Sequence, residues 1–403
     1  MHPLLMQGDC LELMQLLPDA SIDSVITDPP YHLTSNKKGG SGPASVNLES
    51  PHGRARVTTG FMGMTWDGGD IAFSVELWRE ALRVLKPGAH LLAFSGTRTY
   101  HRMAVAIEDA GFEIRDQIGW LYGSGFPKSR DFSRFDMTAE DGERWAGWGT
   151  ALKPAWEPIC VARKPLVGTV AENVLSHGTG ALNIDNCRVP ASKVTGWGGP
   201  GSKLYEGGLS KEGGNPRPAA GRWPANIIHD GSDEVRAAFP QAPGQMARAR
   251  TDGEAQGNKT YGARNQGTTQ PEPRLETGSA ARFFYCAKAS KRDRDEGCDG
   301  LTAVKTNDGR AVDADNAYQR GATERKNSHP TVKPTELMAY LCRLVTPPGG
   351  VVLDPFMGSG STGKACAAEG FYFVGTERDE SYFEIAKKRV EFAYELAKKA
   401  TNE

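Results

Sequence analysis

Apolar positions recur with clear periods near both ends of the chain, and they lose that order in between. In the first part, short runs fit strands at Ser21–Thr27, His90–Ser95, Ile114–Tyr122 and Pro158–Ala162. Between them, Val75–Lys86 sets Trp78, Leu82 and Leu85 on one helical face, and Arg102–Ala110 carries a second helical pattern. In the last part, helices are predicted over Thr335–Leu344, Ser361–Glu369 and Ser381–Lys399, with strands at Val351–Leu353 and Tyr372–Gly375. In the final helix Phe383, Ala386, Val390, Ala393 and Ala397 fall at helical spacing. Strands alternating with helices argue for an α/β, doubly wound sheet. Residues 166–321 hold 23 of the 48 glycines and few long apolar periods, so loops and short elements are expected there. The simplest organisation is one sheet built from residues 1–165 and 322–403, with 166–321 inserted between them. No repeat with a period of 20–50 residues is visible, which argues against a solenoid.

Composition narrows the class. The 403 residues are 38% hydrophobic and 24% charged, as in a globular protein able to bury a core. No run approaches 18 apolar residues, so no membrane partner is expected, and the first residues lack the marks of a secretory signal. Seven scattered cysteines form no CxxC pair, which points away from disulfides and zinc sites and toward a cytoplasmic setting. The formal charge of −1 gives no global basic footprint for nucleic acid. Any such partner must be met by local clusters.

Three segments could carry chemistry. VVLDPFMGSGST (351–362) ends a strand in Asp354 and turns through glycines into a helix, at the edge of a doubly wound sheet where ligands bind. Gly358, Gly360 and Gly363 spell GxGxxG, and Glu377 ends the next strand, placed for ribose hydroxyls. Gly358–Lys364 also spells GxxxxGK, but Ala365 stands where a phosphate loop needs Ser or Thr. NAD, ATP or another adenosine-containing ligand all remain open on this motif.

The second segment is TDPPY, directly after the first strand. Pro29 and Pro30 stiffen the chain, so the Asp28 carboxylate, a backbone carbonyl and the Tyr31 ring form one fixed array. Two acceptors beside a flat ring suit a planar amine. The third is NSHPTVKP (327–334), where Lys333 precedes a helix as a candidate partner for a ligand carboxylate.

Together these segments resemble the amino-group DNA methyltransferases of the β arrangement, in which DPPY comes first, a target-recognition region next, and FxGxG last. Here those are Asp28-Pro29-Pro30-Tyr31, residues 166–321, and Phe356-Met357-Gly358-Ser359-Gly360. Gly8-Asp9-Cys10, Arg83–His101, Trp120–Ser129, Lys153–Pro165, RFFYCAKASKRDRDEG and His329–Pro334 carry the likeness across most of both flanks. The resemblance implies a Rossmann-like sheet, mostly parallel with one antiparallel strand. It implies S-adenosyl-L-methionine as cofactor and no metal. Asp28, Asp354, Phe356, Gly358, Gly360 and Thr362 would line the methionine and ribose, and Glu377 would hold the ribose hydroxyls. Asp9 and Cys10 would meet the adenine, with Thr331 and Lys333 at the methionine carboxylate. NAD then leaves TDPPY and TVKP unexplained, and ATP fails at Ala365.

The implied substrate is an exocyclic amine in double-stranded DNA, in a base flipped from the duplex. Asp28 and the Pro29 carbonyl would accept its two N–H groups, and Tyr31 would stack on the base, with Trp120 or Phe126 as a further wall. Relatives that methylate cytosine N4 usually carry Ser where this chain has Asp28, which favours adenine N6. A catalytically silent DNA-binding module is the reading from another class, and the intact motifs argue against it. DNA contacts are expected from Lys37, Lys38, Arg54 and Arg56, from Lys128, Arg130 and Arg134, and from Lys288, Lys291, Arg292 and Arg294. A homodimer is expected from the arrangement.

Overall fold

The computed structural model describes residues 2–31, 70–125, 129, 138–190, 221–242, 278–287, 291–306 and 323–402. Nine strands join in one sheet. They are β1 (Leu4–Gln7), β2 (Ile22–Thr27), β3 (Leu85–Phe94), β4 (Glu113–Leu121), β5 (Trp156–Arg163), β6 (Ile227–His229), β7 (Tyr285–Cys286), β10 (Val351–Asp354) and β11 (Tyr372–Glu377). β8 (Val304–Thr306) and β9 (Thr323–Arg325) form a separate antiparallel pair. The spatial order is β1-β11-β10-β2-β3-β5-β4-β6-β7. Every neighbouring pair is parallel except β3/β5 and β4/β5, so β5 alone is reversed. That is the mostly parallel sheet with one antiparallel strand that the resemblance implied.

Burial on both faces explains the apolar runs. Along β3, Leu92 and Phe94 face one core while Leu91 and Ala93 face the other. The first core is closed by α8 (Thr335–Val345), α9 (Ser361–Glu369) and α10 (Glu380–Asn402), with Leu337, Tyr340, Ala365 and Val390 against Phe373 and Ile26. The second is closed by α1 (Cys10–Met14), α2 (Val75–Val84) and α3 (Tyr100–Asp109), through Met14, Leu77, Trp78, Met103 and Ile107. Helix α2 starts at Ser74, whose hydroxyl accepts from the Leu77 N–H, and stops at Val84. Leu85, expected on the helical face, instead opens β3.

The glycine-rich region departs from a plain insertion. Two of its strands, β6 and β7, add to the main sheet beyond β4, in register Gly119↔Ile227 and Ile228↔Tyr285. They are three and two residues long, too short to leave a period in the sequence. Helix α5 (Val170–His177) is set by a Thr169/Glu172 capping box and ends at Gly178 in the left-handed region. Its fully buried Asn173 donates to the carbonyls of Pro87 and Thr179 (2.9 and 2.8 Å) and accepts from the Val167 N–H, tying this segment to β3. The remaining α-helices among the described residues are α4 (Ala139–Arg144), α6 (Asp233–Ala238) and α7 (Lys291–Asp295).

Connections from β2 lead toward β3, and those from β10 lead toward β11 on the other side. The sheet therefore reverses its winding between β2 and β10, and a crevice opens beyond their carboxyl ends. Asp28 follows one strand and Asp354 ends the other.

Candidate active site

A cavity of about 640 Å³ occupies that crevice. Its lining includes Asp9, Cys10, Asp28, Pro30, Thr331, Lys333, Asp354, Phe356, Gly358, Thr362 and Glu377. Segments more than three hundred residues apart in sequence thus converge on one space. Gly360 lies behind the lining as the N-cap of α9, with φ of 78°. Pro29 and Tyr31 also lie outside the lining, with Tyr31 reaching Asp28 through its hydroxyl.

The loop after β10 is held from beneath. The buried Asp354 carboxylate accepts from the Thr27 hydroxyl (2.7 Å), the Thr362 hydroxyl (2.6 Å) and the Phe356 N–H (3.1 Å). Burial raises its pKa to about 6 despite these donors, and the nearby Asp28 charge adds to the rise. Asp354 consequently ties β2, β10 and α9 together from the floor of the cavity. Above it, Gly358 adopts φ of 51°, and a Cβ there would stand 2.8 Å from His329 Nε2. Both the backbone and the neighbour require glycine.

Glu377 closes the loop from β11. Its carboxylate accepts from the N–H groups of Gly358 (3.0 Å) and Asp379 (2.9 Å). Burial outweighs these bonds and raises its pKa to about 7. Asp9 lines the cavity beside it, just after the Gly8 N–H donates to the Glu377 carbonyl (2.9 Å), and caps α1, accepting from the Leu11 and Glu12 N–H groups. Burial, with the Asp9 charge, pushes the neighbouring Cys10 thiol up to about 12, so it is neutral.

Around Asp28 four polar groups meet. Tyr31 donates its hydroxyl to Asp28 Oδ1 at 2.6 Å, and Lys333 Nζ donates to Asp28 Oδ2 at 2.5 Å. Glu157 Oε2 lies 3.1 Å from the Tyr31 hydroxyl and 3.3 Å from Lys333 Nζ. The ammonium sits 5.0 Å from the Phe94 ring centroid and 5.5 Å from that of Tyr31. Burial alone would lower the Lys333 pKa, but Asp28 and Glu157 outweigh it and hold the cation above its ordinary range. Burial and the same two carboxylates push the Tyr31 phenol well up, so it stays a donor. Each Asp28 oxygen keeps a second lone pair for a further donor. Lys333, expected at a ligand carboxylate, is thus placed on the cavity wall with its ammonium on Asp28.

Several contributors escaped the sequence reading. Glu157 stands in KPAWEPI and His329 in NSHPTVKP, both noticed as segments but not as single residues. Burial lowers the His329 pKa to about 4, leaving a neutral ring edge-on to Tyr382 at 4.6 Å. Tyr382, Arg378 and Ser361 also line the cavity. The Ser361 hydroxyl is buried there with no hydrogen-bond partner among the described residues. Trp120, suggested as a base-stacking wall, packs in the first core against Tyr122 (5.1 Å between rings) and does not line the cavity.

Of the basic residues expected at DNA, Lys37, Lys38, Arg54, Arg56, Phe126's neighbours Lys128 and Arg130, together with Arg134 and Lys288, lie outside the described residues, as does Phe126 itself. Lys291 and Arg292 open α7, but their side chains lie outside the described part as well. Arg294 turns inward, donating to the His329 carbonyl at 2.8 Å.

A Rossmann-like sheet with a glycine loop and an Asp-Pro-Pro-Tyr turn at adjoining strand ends defines a ligand-binding enzyme edge. The family model for DNA methylases of the N6/N4 methyltransferase type matches residues 22–388, and the chain belongs to that family. It is 28% identical over 202 residues to the Type II methyltransferase M.HindIII of Haemophilus influenzae, covering 44% of this chain and 63% of that protein. It is 40% identical over 67 residues to M.HinfI of Haemophilus influenzae, covering 17% of this chain and 19% of that one. The chain therefore matches less than two thirds of the length of either relative. Among solved structures, the cytosine-N4-specific PvuII DNA methyltransferase is similar at a TM-score of 0.43 and 14% identity, covering 99% of this chain and 92% of that one. The M1.HpyAVI–SAM complex is similar at 0.39 and 16%, covering 96% and 98%.

Proposed function

We propose that this protein transfers a methyl group from S-adenosyl-L-methionine to an exocyclic amine of a flipped base in double-stranded DNA, adenine N6 rather than cytosine N4. The observation that carries this reading is the joining of Asp28 to the glycine loop. Thr27 bonds Asp354 on the floor of the cavity, and the next residue presents its carboxylate at the same cavity.

The cavity's chemistry fits the cofactor. Its volume lies in the range of small-molecule sites. Gly358 presents bare backbone to the cavity, and the buried Ser361 hydroxyl, without a partner among the described residues, is one that a polar ligand can satisfy. Glu377 would accept from the ribose hydroxyls, Phe356 would pack on apolar parts of the ligand, and Asp9 and Cys10 would meet the adenine. Thr331 and Lys333 would meet the methionine carboxylate. When bound, S-adenosylmethionine supplies an electrophilic methyl group on a sulfonium.

The protein's part is positioning and charge. An aromatic amine is a poor nucleophile because its lone pair is delocalised into the ring. Asp28 and the Pro29 carbonyl, accepting both N–H groups, would draw the nitrogen toward a pyramid and localise that pair. Asp28 then holds the proton released as the N–C bond forms. Orientation of the amine supplies much of the rate. Tyr31 would stack on the base and offset part of its unstacking cost. Residues 166–321 would read the DNA sequence, and the homodimer and the cytoplasmic setting belong to the same reading.

Purified protein incubated with methyl-tritiated S-adenosylmethionine and plasmid DNA should transfer label into the DNA. Cofactor binding by calorimetry without any transfer would overturn the enzymatic reading and leave a DNA-binding module.

A further inference from the structure

Lys364, the lysine of the GxxxxGK pattern, does not face the cavity. It is 4% exposed and donates to Asp293 Oδ1 at 2.6 Å and Glu296 Oε2 at 3.1 Å. Its partners come from α7 and the residue that follows it, inside the glycine-rich region. Arg389 of α10, fully buried, joins the same cluster. It donates from Nη2 to the Asp293 carbonyl at 3.0 Å and from Nη1 to the carbonyl and hydroxyl of Ser359, the hydroxyl at 3.0 Å. Two buried cations thus face two carboxylates, Asp293 mostly buried and Glu296 partly exposed, and loss of Asp293 would leave the cations without their main partner.

Asp293 reaches a third element. Its carboxylate accepts from the Thr335 N–H (2.8 Å) and hydroxyl (2.6 Å) at the start of α8. Pro334 is the N-cap there and offers no capping side chain, so Asp293 supplies the missing acceptor from another part of the chain. The neighbours of Asp293 grip the same strap further back. Asp295 Oδ1 accepts from the Asn327 N–H (3.1 Å), the Arg294 carbonyl from Asn327 Nδ2 (3.0 Å), and Arg294 donates to the His329 carbonyl. At the end of α7, Gly297 has φ of 84°, and a Cβ on it would stand 3.0 Å from Arg389 Cα. The helix is seated as closely as its backbone allows.

Two of the pieces held this way line the cavity. The strap 327–335 carries His329, Thr331 and Lys333, and the glycine loop carries Gly358, Ser359 and Ser361. We propose that Asp293 is a positioning residue which couples α7 of the glycine-rich region to both walls of the cofactor pocket, so that the docking of α7 sets cofactor affinity. The inference rests on the reading of the cavity as a S-adenosylmethionine site. By linkage, bound cofactor protects α7 to the same extent.

The test compares wild type with Asp293→Asn, which keeps an acceptor for Thr335 and removes the charge facing Lys364 and Arg389. Hydrogen exchange of the cofactor-free proteins should be faster in residues 329–338 and 357–362 of the variant, with β3 and β4 unchanged. S-adenosylmethionine should bind about tenfold more weakly, within the coupling range for one shared network. The kcat at saturating cofactor should stay within about twofold, a KM-against-kcat split that general destabilisation does not produce. Lys364→Met should act in the same direction and decides the question if Asp293→Asn does not fold. The double variant, which removes both charges, should recover part of the lost affinity. A folded variant whose two segments exchange as in wild type would overturn the proposal. Failure of the wild type to bind S-adenosylmethionine would instead sink the cofactor reading, while the exchange comparison still decides the coupling.

Discussion

The chain leaves β2 through Asp28-Pro29-Pro30-Tyr31 and leaves β10 through Pro355-Phe356-Met357-Gly358-Ser359-Gly360, two turns at adjacent strand ends. The first is stiffened by prolines and spends its side chains on an array of Asp28, Tyr31, Lys333 and Glu157. The second removes side chains at Gly358 and Gly360 so that backbone can approach His329 at the first and Val390 and Ala386 at the second. One turn fixes a functional group in space, and the other makes space. A transfer reaction between two molecules needs both beside each other, and the Thr27–Asp354 bond locks their relative position.

The largest effect should separate the two turns cleanly. Asp28→Asn removes the carboxylate but keeps its shape, and methyl transfer should fall by about 10²–10⁴-fold. Cofactor affinity measured by calorimetry should change by less than about threefold, since the glycine turn is untouched. Comparable loss of both would break the division of labour.

Next comes the opposite change. Gly360→Ala places a Cβ 2.8 Å from Val390 Cγ2 and 3.2 Å from the Ala386 backbone, at a φ of 78° that costs about 1–2 kcal/mol for alanine. Cofactor binding should weaken by about tenfold and Tm should fall by several degrees. The kcat at saturating cofactor should move less than either.

A smaller effect concerns pH. Glu377 has its folded pKa raised to about 7 from an ordinary 4.5, so the folded state holds the proton more tightly than the unfolded chain. Its stabilising contribution is complete below about 4.5 and is lost as pH rises through about 7. Glu377→Gln should therefore flatten the decline in Tm between pH 5 and pH 8. An unchanged slope in thermal melts would show that the buried carboxylate is not the titrating group.

How much of this was legible in the sequence depends on distance along the chain. Strands β2, β10 and β11 and helices α2, α9 and α10 each carry their own period, and their predicted positions agree with the structure to within a few residues, while β3 was found but begins at Leu85, five residues before the predicted His90. The turns were legible because proline locks the backbone locally and glycine alone readily takes the positive φ a tight turn needs. β6 and β7 were not, because two or three residues cannot show a period and their places come from pairing with β4. Lys364 looked like a phosphate-loop lysine only because spacing says nothing of direction, and its partners sit in α7. Glu157 was hidden for a related reason: its role arises from Tyr31 and Lys333, far away in sequence and adjacent only once β5 is reversed beside β3.

The central claim is that Asp28 activates an exocyclic amine of DNA, and nucleoside analysis tests it most directly. DNA from cells expressing the wild type or Asp28→Ala would be digested to nucleosides and resolved by mass spectrometry. N6-methyldeoxyadenosine should be present with the wild type and absent with the variant. N4-methyldeoxycytidine in its place would contradict the choice of adenine, and equal methylation with both proteins would contradict the role of Asp28.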